Sequence, residues 1–175
     1  MADDRSDRVL VRAACGGDRE AAGALFTRHW QPAWRVAYGI TGRRALADDV
    51  AADAFERAFA ALARFDDRRP FAPWLHRIVV NRALDLLRAE RRLVGGELAL
   101  ESVEAVALDE QGDAELLAAV HALPLQRRAV VVLRYGIGMT PADIATVLDV
   151  PVGTVHSRLA RALDQLREED RVDRS

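Results

Sequence analysis

The side chains with the most evident binding chemistry lie close together near the C-terminus of the chain. They combine two hydroxyls, an imidazole and two guanidinium groups: Thr154, His156, Ser157, Arg158 and Arg161. Hydroxyls and guanidinium groups at the start of a helix can contact phosphates and base edges in the major groove of DNA. These residue types favour nucleic-acid binding if the surrounding segment presents them together on a helix.

The segment around this cluster predicts two short helices joined by a tight turn. Thr140 can cap the first helix, and Asp143 stands at the capping-box position three residues on. Residues 149–151 then break the helix, and a second helix follows with apolar residues at helical spacing. We expect that apolar set to face a core: Val152, Val155, Leu159, Leu163 and Leu166. The pattern is typical of a helix-turn-helix DNA reader, although an antiparallel helical hairpin with a solvated polar face fits the turn about equally well.

A second group of basic residues follows a loop rich in charge and proline that we expect at residues 66–73. Five polar side chains recur at intervals of three or four on the next predicted helix: Arg77, Asn81, Asp85, Arg88 and Arg92. The aromatic residues around the loop are Phe65, Phe71 and Trp74. Unpaired bases stack on aromatic rings while arginine neutralises their phosphates. Alternatively the aromatic residues are core, which we favour for Trp74, and the arginines only solubilise the helix.

An acidic helix surface is predicted between these features and the N-terminus. One face of this helix is apolar and carries Phe55, Phe59 and Leu62. Charged residues project elsewhere: Asp48, Asp49, Asp53, Glu56 and Arg57. Such charges usually form a solvated surface, and the functional alternative is a docking face for a basic protein partner.

Composition limits the remaining possibilities. All basic residues are arginine and the net charge is −2, so any nucleic-acid contact must come from local patches. Cys15 is the only cysteine, which excludes an intrachain disulfide and a cysteine metal cluster. Neither a signal peptide nor a long apolar run is evident, so we expect a cytosolic protein without membrane insertion. The usual nucleotide, hydrolase and zinc-protease motifs are missing, and we therefore predict no cofactor, no metal and no enzymatic activity.

Helical periodicity dominates the chain, and the fold class that we predict is all-α. The first four predicted helices cover residues 7–15, 19–38, 45–63 and 74–92, with Phe26, Trp30 and Trp34 of the second helix expected in the core. Residues 93–113 carry six acids and no arginine, which is typical of a linker. We therefore expect two small helical domains, 1–92 and 114–175, joined by an acidic linker, with the helix-turn-helix in the second.

Three segments together resemble a known protein family. ADDVAADAFERAF is similar to the polymerase-binding helix of extracytoplasmic-function (ECF) sigma factors, the smallest sigma subunits of bacterial RNA polymerase. FAPWLHRIVVNRALDLLRAERR is similar to their promoter-melting and −10-reading helix in region 2. LPLQRRAVVVLRYGIGMTPADIATVLDVPVGTVHSRLARALDQLR resembles their −35 reader in region 4. The resemblance extends from about Asp18 to Leu166 in the family's order.

The resemblance implies partners and roles for individual residues. Core RNA polymerase would bind at Asp48, Asp49, Asp53 and Arg57, with support from Phe55. The −10 element would be melted and captured by Phe65, Arg68, Arg69, Phe71, Arg77, Asn81 and Arg88. The −35 element would be read by Thr154, His156, Ser157, Arg158 and Arg161. The acidic linker would follow the RNA exit path of the polymerase, and a probable anti-sigma protein would hold the factor inactive.

The chain departs from the family's usual residues at three positions. Ala52 stands where the family usually has Gln, Asp149 replaces the usual turn glycine, and His156 often has Lys as its counterpart. A sigma factor acting only with core polymerase is our main hypothesis. A stand-alone helix-turn-helix regulator is the second, and a helical enzyme or scaffold is the third.

Overall fold

Eight α-helices form the part of the chain that the computed structural model describes, which is residues 5–93 and 111–173, with side chains at 5–93 and 115–168. They are α1 (Asp7–Cys15), α2 (Arg19–Thr41), α3 (Arg44–Ala61), α4 (Phe71–Leu93), α5 (Gln111–Ala122), α6 (Leu125–Val131), α7 (Pro141–Leu148) and α8 (Val152–Asp173). A 3-10 turn (Leu62–Arg64) follows α3, and a π-helical turn (Val132–Gly136) follows α6. The predicted all-α class is confirmed.

The helix ends follow local capping chemistry. Asp18 caps α2 by accepting hydrogen bonds from the backbone N–H groups of Glu20 (2.9 Å) and Ala21 (3.1 Å). At the other end Gly42 adopts a left-handed conformation (φ 72°) and its N–H bonds to the carbonyl of Tyr38 at 2.8 Å. The helix thus continues three residues beyond its predicted end at Tyr38, because the glycine that terminates it is Gly42.

Three other predicted boundaries differ from the structure. The helix that we expected to begin at Trp74 begins at Phe71, which shortens the preceding loop to residues 65–70. Residues 111–113 of the expected linker belong to α5, and Leu93 belongs to α4. The remainder of that expected linker, with its proposed course along an RNA exit path, lies outside the described residues.

The first four helices share one apolar core in which α2 packs against α1, α3 and α4. Fully buried side chains include Leu25, Val50 and Leu75. Removal of such surfaces from water is the main force that holds small helical units together. The prediction that Phe26 is a core residue is wrong, because 39% of its surface is exposed and its ring lies over that of Trp30 at 5.0 Å.

Helices α6, α7 and α8 form a second packed unit. Ile144 of α7 and Val155 of α8 are fully buried, and Leu159 is nearly so. Val152, which we expected in this core, is 41% exposed because it lies in the first turn of α8. In the described ranges, no helix is long and apolar enough to cross a membrane.

The two helical units contact each other along α2. Arg128 of α6 is only 7% exposed, and its Nη1 donates a hydrogen bond to the carbonyl of Ile40 at 2.7 Å. That carbonyl belongs to the last turn of α2. Carbonyl groups in the last turn have no hydrogen-bond partner within the helix, and they carry partial negative charge. Val132 packs so closely on Gly39 that a β-carbon there would lie 2.8 Å from it. An arginine from the second unit therefore caps a helix of the first.

Candidate nucleic-acid interfaces

The polar cluster near the C-terminus lies at the start of α8, directly after the turn. His156, Ser157 and Arg161 are exposed, and Thr154 and Arg158 are half-buried. The hydroxyl of Ser157 donates to the carbonyl of Thr154 at 3.0 Å, so part of its hydrogen-bonding capacity is already used. The exposed members present an imidazole, a hydroxyl and a guanidinium group to solvent, which suits contact with a polyanion.

The turn before α8 has the geometry of a helix-turn-helix. Asp149 follows the last residue of α7 with φ 54° and ψ 51°, which makes it the one non-glycine residue in a left-handed conformation in the described part of the chain. The N–H of Val150 returns to the carbonyl of Ala145 at 3.1 Å, which closes the end of α7. Aspartate enters this conformation more readily than most residues, so the turn forms without glycine.

The loop between α3 and α4 is organised by Asp66. Its carboxylate accepts hydrogen bonds from the backbone N–H (3.1 Å) and Nε (2.8 Å) of Arg68, and its carbonyl accepts one from the N–H of Arg69 at 2.9 Å. The Arg68 guanidinium lowers the pKa of Asp66. Sequence reasoning missed this residue, although an aspartate two positions before an arginine is a signal for such a side-chain-closed turn.

Aromatic rings form the inner wall of this loop. Phe65 is half-buried, and its ring centroid lies 4.6 Å from that of Trp74 and 5.9 Å from that of Phe71. Phe71 is only 1% exposed, so the expectation that it contacts DNA directly is not met in this arrangement. It packs beneath the loop because α4 begins at that residue. Trp74 packs against the core, as the alternative that we favoured for it predicts.

The polar stripe on α4 is partly exposed to solvent and partly in contact with the other helical unit. Asn81 is exposed, and Arg88 is exposed beside Asp85 at 3.3 Å. Arg77 is half-buried and pairs with the carboxylate of Asp149 at 3.6 Å. The residue that replaces the usual turn glycine in the second unit thus neutralises an arginine of the stripe in the first.

The acidic surface of α3 is held by contacts with its neighbours. Asp53 forms ion pairs with Arg57 at 3.0 Å and with Arg82 of α4. Asp48 accepts a hydrogen bond from the indole N–H of Trp34 at 2.6 Å, and Asp49 is exposed. The sequence pattern gave no sign of the Arg82 pair, since the two residues lie on different helices. Across the residues that the structure describes, no group of potential ligands is arranged to hold a metal ion.

These features define a class of protein: an all-helical DNA-reading protein made of two units, one of which carries a helix-turn-helix. Comparison with known protein families gives two matches, one in each half of the chain. Residues 25–93 match Sigma-70 region 2, and residues 113–166 match Sigma-70 region 4.

Similar whole proteins narrow this class to one family. The ECF RNA polymerase sigma factor SigM of Mycobacterium tuberculosis is 39% identical over 167 residues, which cover 93% of this chain and 84% of that protein. The RNA polymerase sigma factor CnrH of Cupriavidus metallidurans is 34% identical over 181 residues, covering 95% of each. The chain belongs to the family of ECF RNA polymerase sigma factors.

Solved structures agree with this assignment. The structure of CnrH in complex with the cytosolic domain of CnrY has a TM-score of 0.75 at 30% identity, covering 95% of this chain and 98% of that one. The sigma factor RpoE in complex with the anti-sigma factor NepR from Bartonella quintana, at 22% identity and a TM-score of 0.69, shares the fold over 85% of this chain and 95% of that one.

Membership in this family decides between the three hypotheses. The chain is a promoter-specific transcription initiation factor that works with core RNA polymerase and promoter DNA, and it is not an enzyme. The hypotheses of a stand-alone regulator and of a helical enzyme or scaffold are therefore wrong.

Proposed function

We propose that the two helical units read two separate promoter elements. In this proposal His156, Ser157 and Arg161 of α8 contact the −35 duplex, with Thr154 and Arg158 at its edge. The main observation in favour is that three side chains able to contact bases or phosphates are exposed at the start of the helix after the turn.

The −10 element is proposed to bind at the loop 65–70 and along α4. Phe65 offers a half-buried ring on which a flipped base can stack, and Arg68 and Arg69 are exposed beside it. Asn81 and Arg88 continue this surface along α4. Arg77 joins it only after its ion pair with Asp149 is broken, which is feasible because such solvent-exposed pairs contribute about 1 kcal/mol or less.

Core polymerase is proposed to dock on the acidic surface of α3. Asp49 and Arg57 are exposed there, while Asp48 and Asp53 are already bonded to neighbouring side chains and shape the surface. Ala52 is also exposed on this helix and contributes no polar group. The docking energy must therefore come from the flanking charged residues.

Two-point binding requires the helical units to separate. Elements centred near −35 and −10 lie about 85 Å apart at roughly 3.4 Å per base pair. A compact chain of this length has a radius of gyration of only about 16 Å. Residues 94–110 can span up to about 60 Å when extended, which together with the width of each unit is sufficient. The contact between Arg128 and Ile40 is thus one that initiation has to open.

We propose that an anti-sigma protein acts by stabilising the closed arrangement, in which the two helical units contact each other. In support, the similarity to CnrH, whose solved structure is a complex with the cytosolic domain of CnrY, extends over both units of this chain. The factor is proposed to act in the cytoplasm, where the polymerase is.

Run-off transcription with purified core polymerase tests the proposal. The template is a duplex library in which each randomised upstream region is linked to its own barcode in the transcribed segment, and the barcodes in the RNA products are sequenced. We expect two selected elements at a fixed spacing. Arg161→Ala should weaken base selection in the upstream element about tenfold, and Asn81→Ala should weaken selection in the downstream element by a similar factor.

The matched control is Arg167→Ala, which removes an exposed arginine of α8 that pairs with Asp164 two turns beyond the proposed contacts. It should leave both elements unchanged. Absence of initiation with the intact chain would refute the proposed function. Equal effects of Arg161→Ala and Arg167→Ala would refute the assignment of the −35 surface.

A further inference from the structure

Helix α1 is a described element to which the family comparison assigns nothing, because the region 2 match begins at residue 25. The helix is nevertheless firmly packed. Leu10 and Val11 are buried in the core of the first unit. Asp7 at its start accepts a hydrogen bond from Nη1 of Arg28 at 2.6 Å and lies 2.8 Å from Nε2 of His29.

The side of α1 that carries Arg8 and Arg12 faces the loop between α3 and α4. Arg12 and Arg8 both reach the carboxylate of Asp67, Arg12 through a hydrogen bond from Nε and Arg8 at 3.7 Å. The Arg12 hydrogen bond is the principal cause that lowers the pKa of Asp67. Helix α1 also contacts the turn Leu62–Arg64 that leads into the loop.

The neighbouring aspartates of this loop have different tasks. Asp66 uses its carboxylate within the loop, where it closes the turn through Arg68. The carboxylate of Asp67 instead pairs with two residues outside the loop, Arg8 and Arg12 of α1. Asp66 therefore sets the internal shape of the turn, and Asp67 sets its orientation relative to the helices.

The far end of the loop is attached to the same anchor. Phe71, where α4 begins, packs its ring against that of His29 at 5.1 Å, and His29 is the partner of Asp7. Helix α1 therefore restrains the loop at Asp67 directly and at Phe71 through His29.

We infer that Asp67 is a positioning residue for capture of the −10 element, acting through Arg12 and Arg8 of α1. This inference rests on the proposed function of the loop. A loop that is already oriented loses less conformational entropy when a base binds. It also adapts less readily to a base of a different shape, and so it discriminates better between bases. Loss of the ion pair leaves the turn intact through Asp66 but frees it to move relative to Phe65 and the core.

The library transcription assay, carried out with holoenzyme containing the full chain, tests this inference. Asp67→Asn should reduce base selection in the downstream element by about fivefold, the upper range for an exposed ion pair. Selection in the upstream element should not change. Asp67→Glu keeps the charge and should restore most of the selection. The melting temperature of each variant should stay within about 4 °C of the parent chain, because the pair is exposed.

A double-mutant comparison separates positioning by α1 from direct contact with DNA. Arg8→Gln combined with Arg12→Gln should reproduce the effect of Asp67→Asn, and adding Asp67→Asn to that pair should have no further effect. Asp164→Asn removes another exposed aspartate–arginine pair and is the matched control. Unchanged downstream selection in Asp67→Asn, or equal loss in both elements, would overturn the inference. Absence of any selected element with the parent chain would instead refute the proposed function itself.

Discussion

At the scale of single residues, Asp149 supplies both a left-handed backbone and a charged side chain, whereas a glycine at the turn would supply only the backbone conformation. Its left-handed backbone closes α7, as its residue type allows one to expect. Its side chain also pairs with Arg77, 72 positions earlier in the chain, at 3.6 Å. The first property could be predicted from the sequence because it is local. The second could not, because nothing in the sequence indicates which helices of the two units meet.

Adding one positive charge at His156 should strengthen binding to promoter DNA. It is exposed at the start of α8, where the family often has Lys. His156→Lys should tighten binding of the holoenzyme to promoter DNA, because a cation near phosphates releases counterions. The slope of log K against log salt should steepen by about 1. Fluorescence anisotropy over a salt series measures this slope.

Gln31→Lys is the control for charge alone, since it adds the same charge at an exposed position of α2. Its slope should match that of the parent chain. If both substitutions steepen the slope equally, net charge and not position explains the effect.

Gly42 and Gly17 provide a test of close packing between the units. Both have positive φ, so alanine at either position costs about 1–2 kcal/mol in backbone strain. A β-carbon at Gly42 would also collide with the ring of His121, whereas one at Gly17 would meet nothing within 4 Å. Gly42→Ala should therefore lower the free energy of unfolding more than Gly17→Ala does, as measured by urea denaturation. Equal losses would mean that the contact with His121 does not persist in solution.

At the scale of elements, α7 depends on its cap because it is only eight residues long. The N–H of Asp143 donates to the hydroxyl oxygen of Thr140 at 3.2 Å, and that hydroxyl donates to the Asp143 carboxylate at 2.6 Å. Thr140→Ala should lower the free energy of unfolding by about 1 kcal/mol. Thr140→Ser keeps the hydroxyl and should be nearly neutral. Thermal unfolding distinguishes the two, and equal destabilisation would argue against the capping contact.

The element boundaries show where sequence reasoning succeeds. Thr140, Asp18 and the apolar periodicity act over a few residues, and the helices that they predict are present. Phe26 was misplaced because helical spacing identifies a face and does not say how far a neighbouring helix covers it. The early start of α4 was missed because the core contact of Phe71 is with His29, which lies 42 positions earlier in the chain.

At the scale of the whole molecule, buried histidines should make stability depend on pH. Burial lowers the pKa of His76 and of His121 to about 4, and Arg128 adds to this effect at His121. Above pH 6.5 both are neutral in the folded and the unfolded chain. Between pH 6.5 and about 4 only the unfolded chain takes up these protons, so the free energy of unfolding should fall as the pH is lowered. Each histidine contributes up to about 1.4 kcal/mol per pH unit.

Chemical denaturation at several pH values measures this dependence. His76→Gln and His121→Gln should each reduce the slope between pH 6.5 and 4, whatever their effect on stability at neutral pH. A parent chain whose stability is constant over this range would contradict the prediction.

The candidate interfaces were predictable to different extents. The exposed residues of α8 follow from one helix and its turn, so their grouping is visible in the sequence. The orientation of the loop 65–70 depends on Asp67 and helix α1, whose contacts cross 55 positions of the chain between Arg12 and Asp67. Local patterns carry no information about such pairs, and the residues that orient the loop therefore came only from the structure.

Under the proposed two-point binding, the arginine that caps α2 from the other unit would set an equilibrium between a closed and a separated population. Separating the units breaks the hydrogen bond from Nη1 of Arg128 and returns the carbonyl of Ile40 to water. If only the separated chain binds both promoter elements, its apparent dissociation constant is the intrinsic one divided by the separated fraction. Each tenfold strengthening of the closed contact, about 1.4 kcal/mol, then dilutes the competent form tenfold. Side chains buried between the two units would then set the concentration at which this factor occupies its promoters.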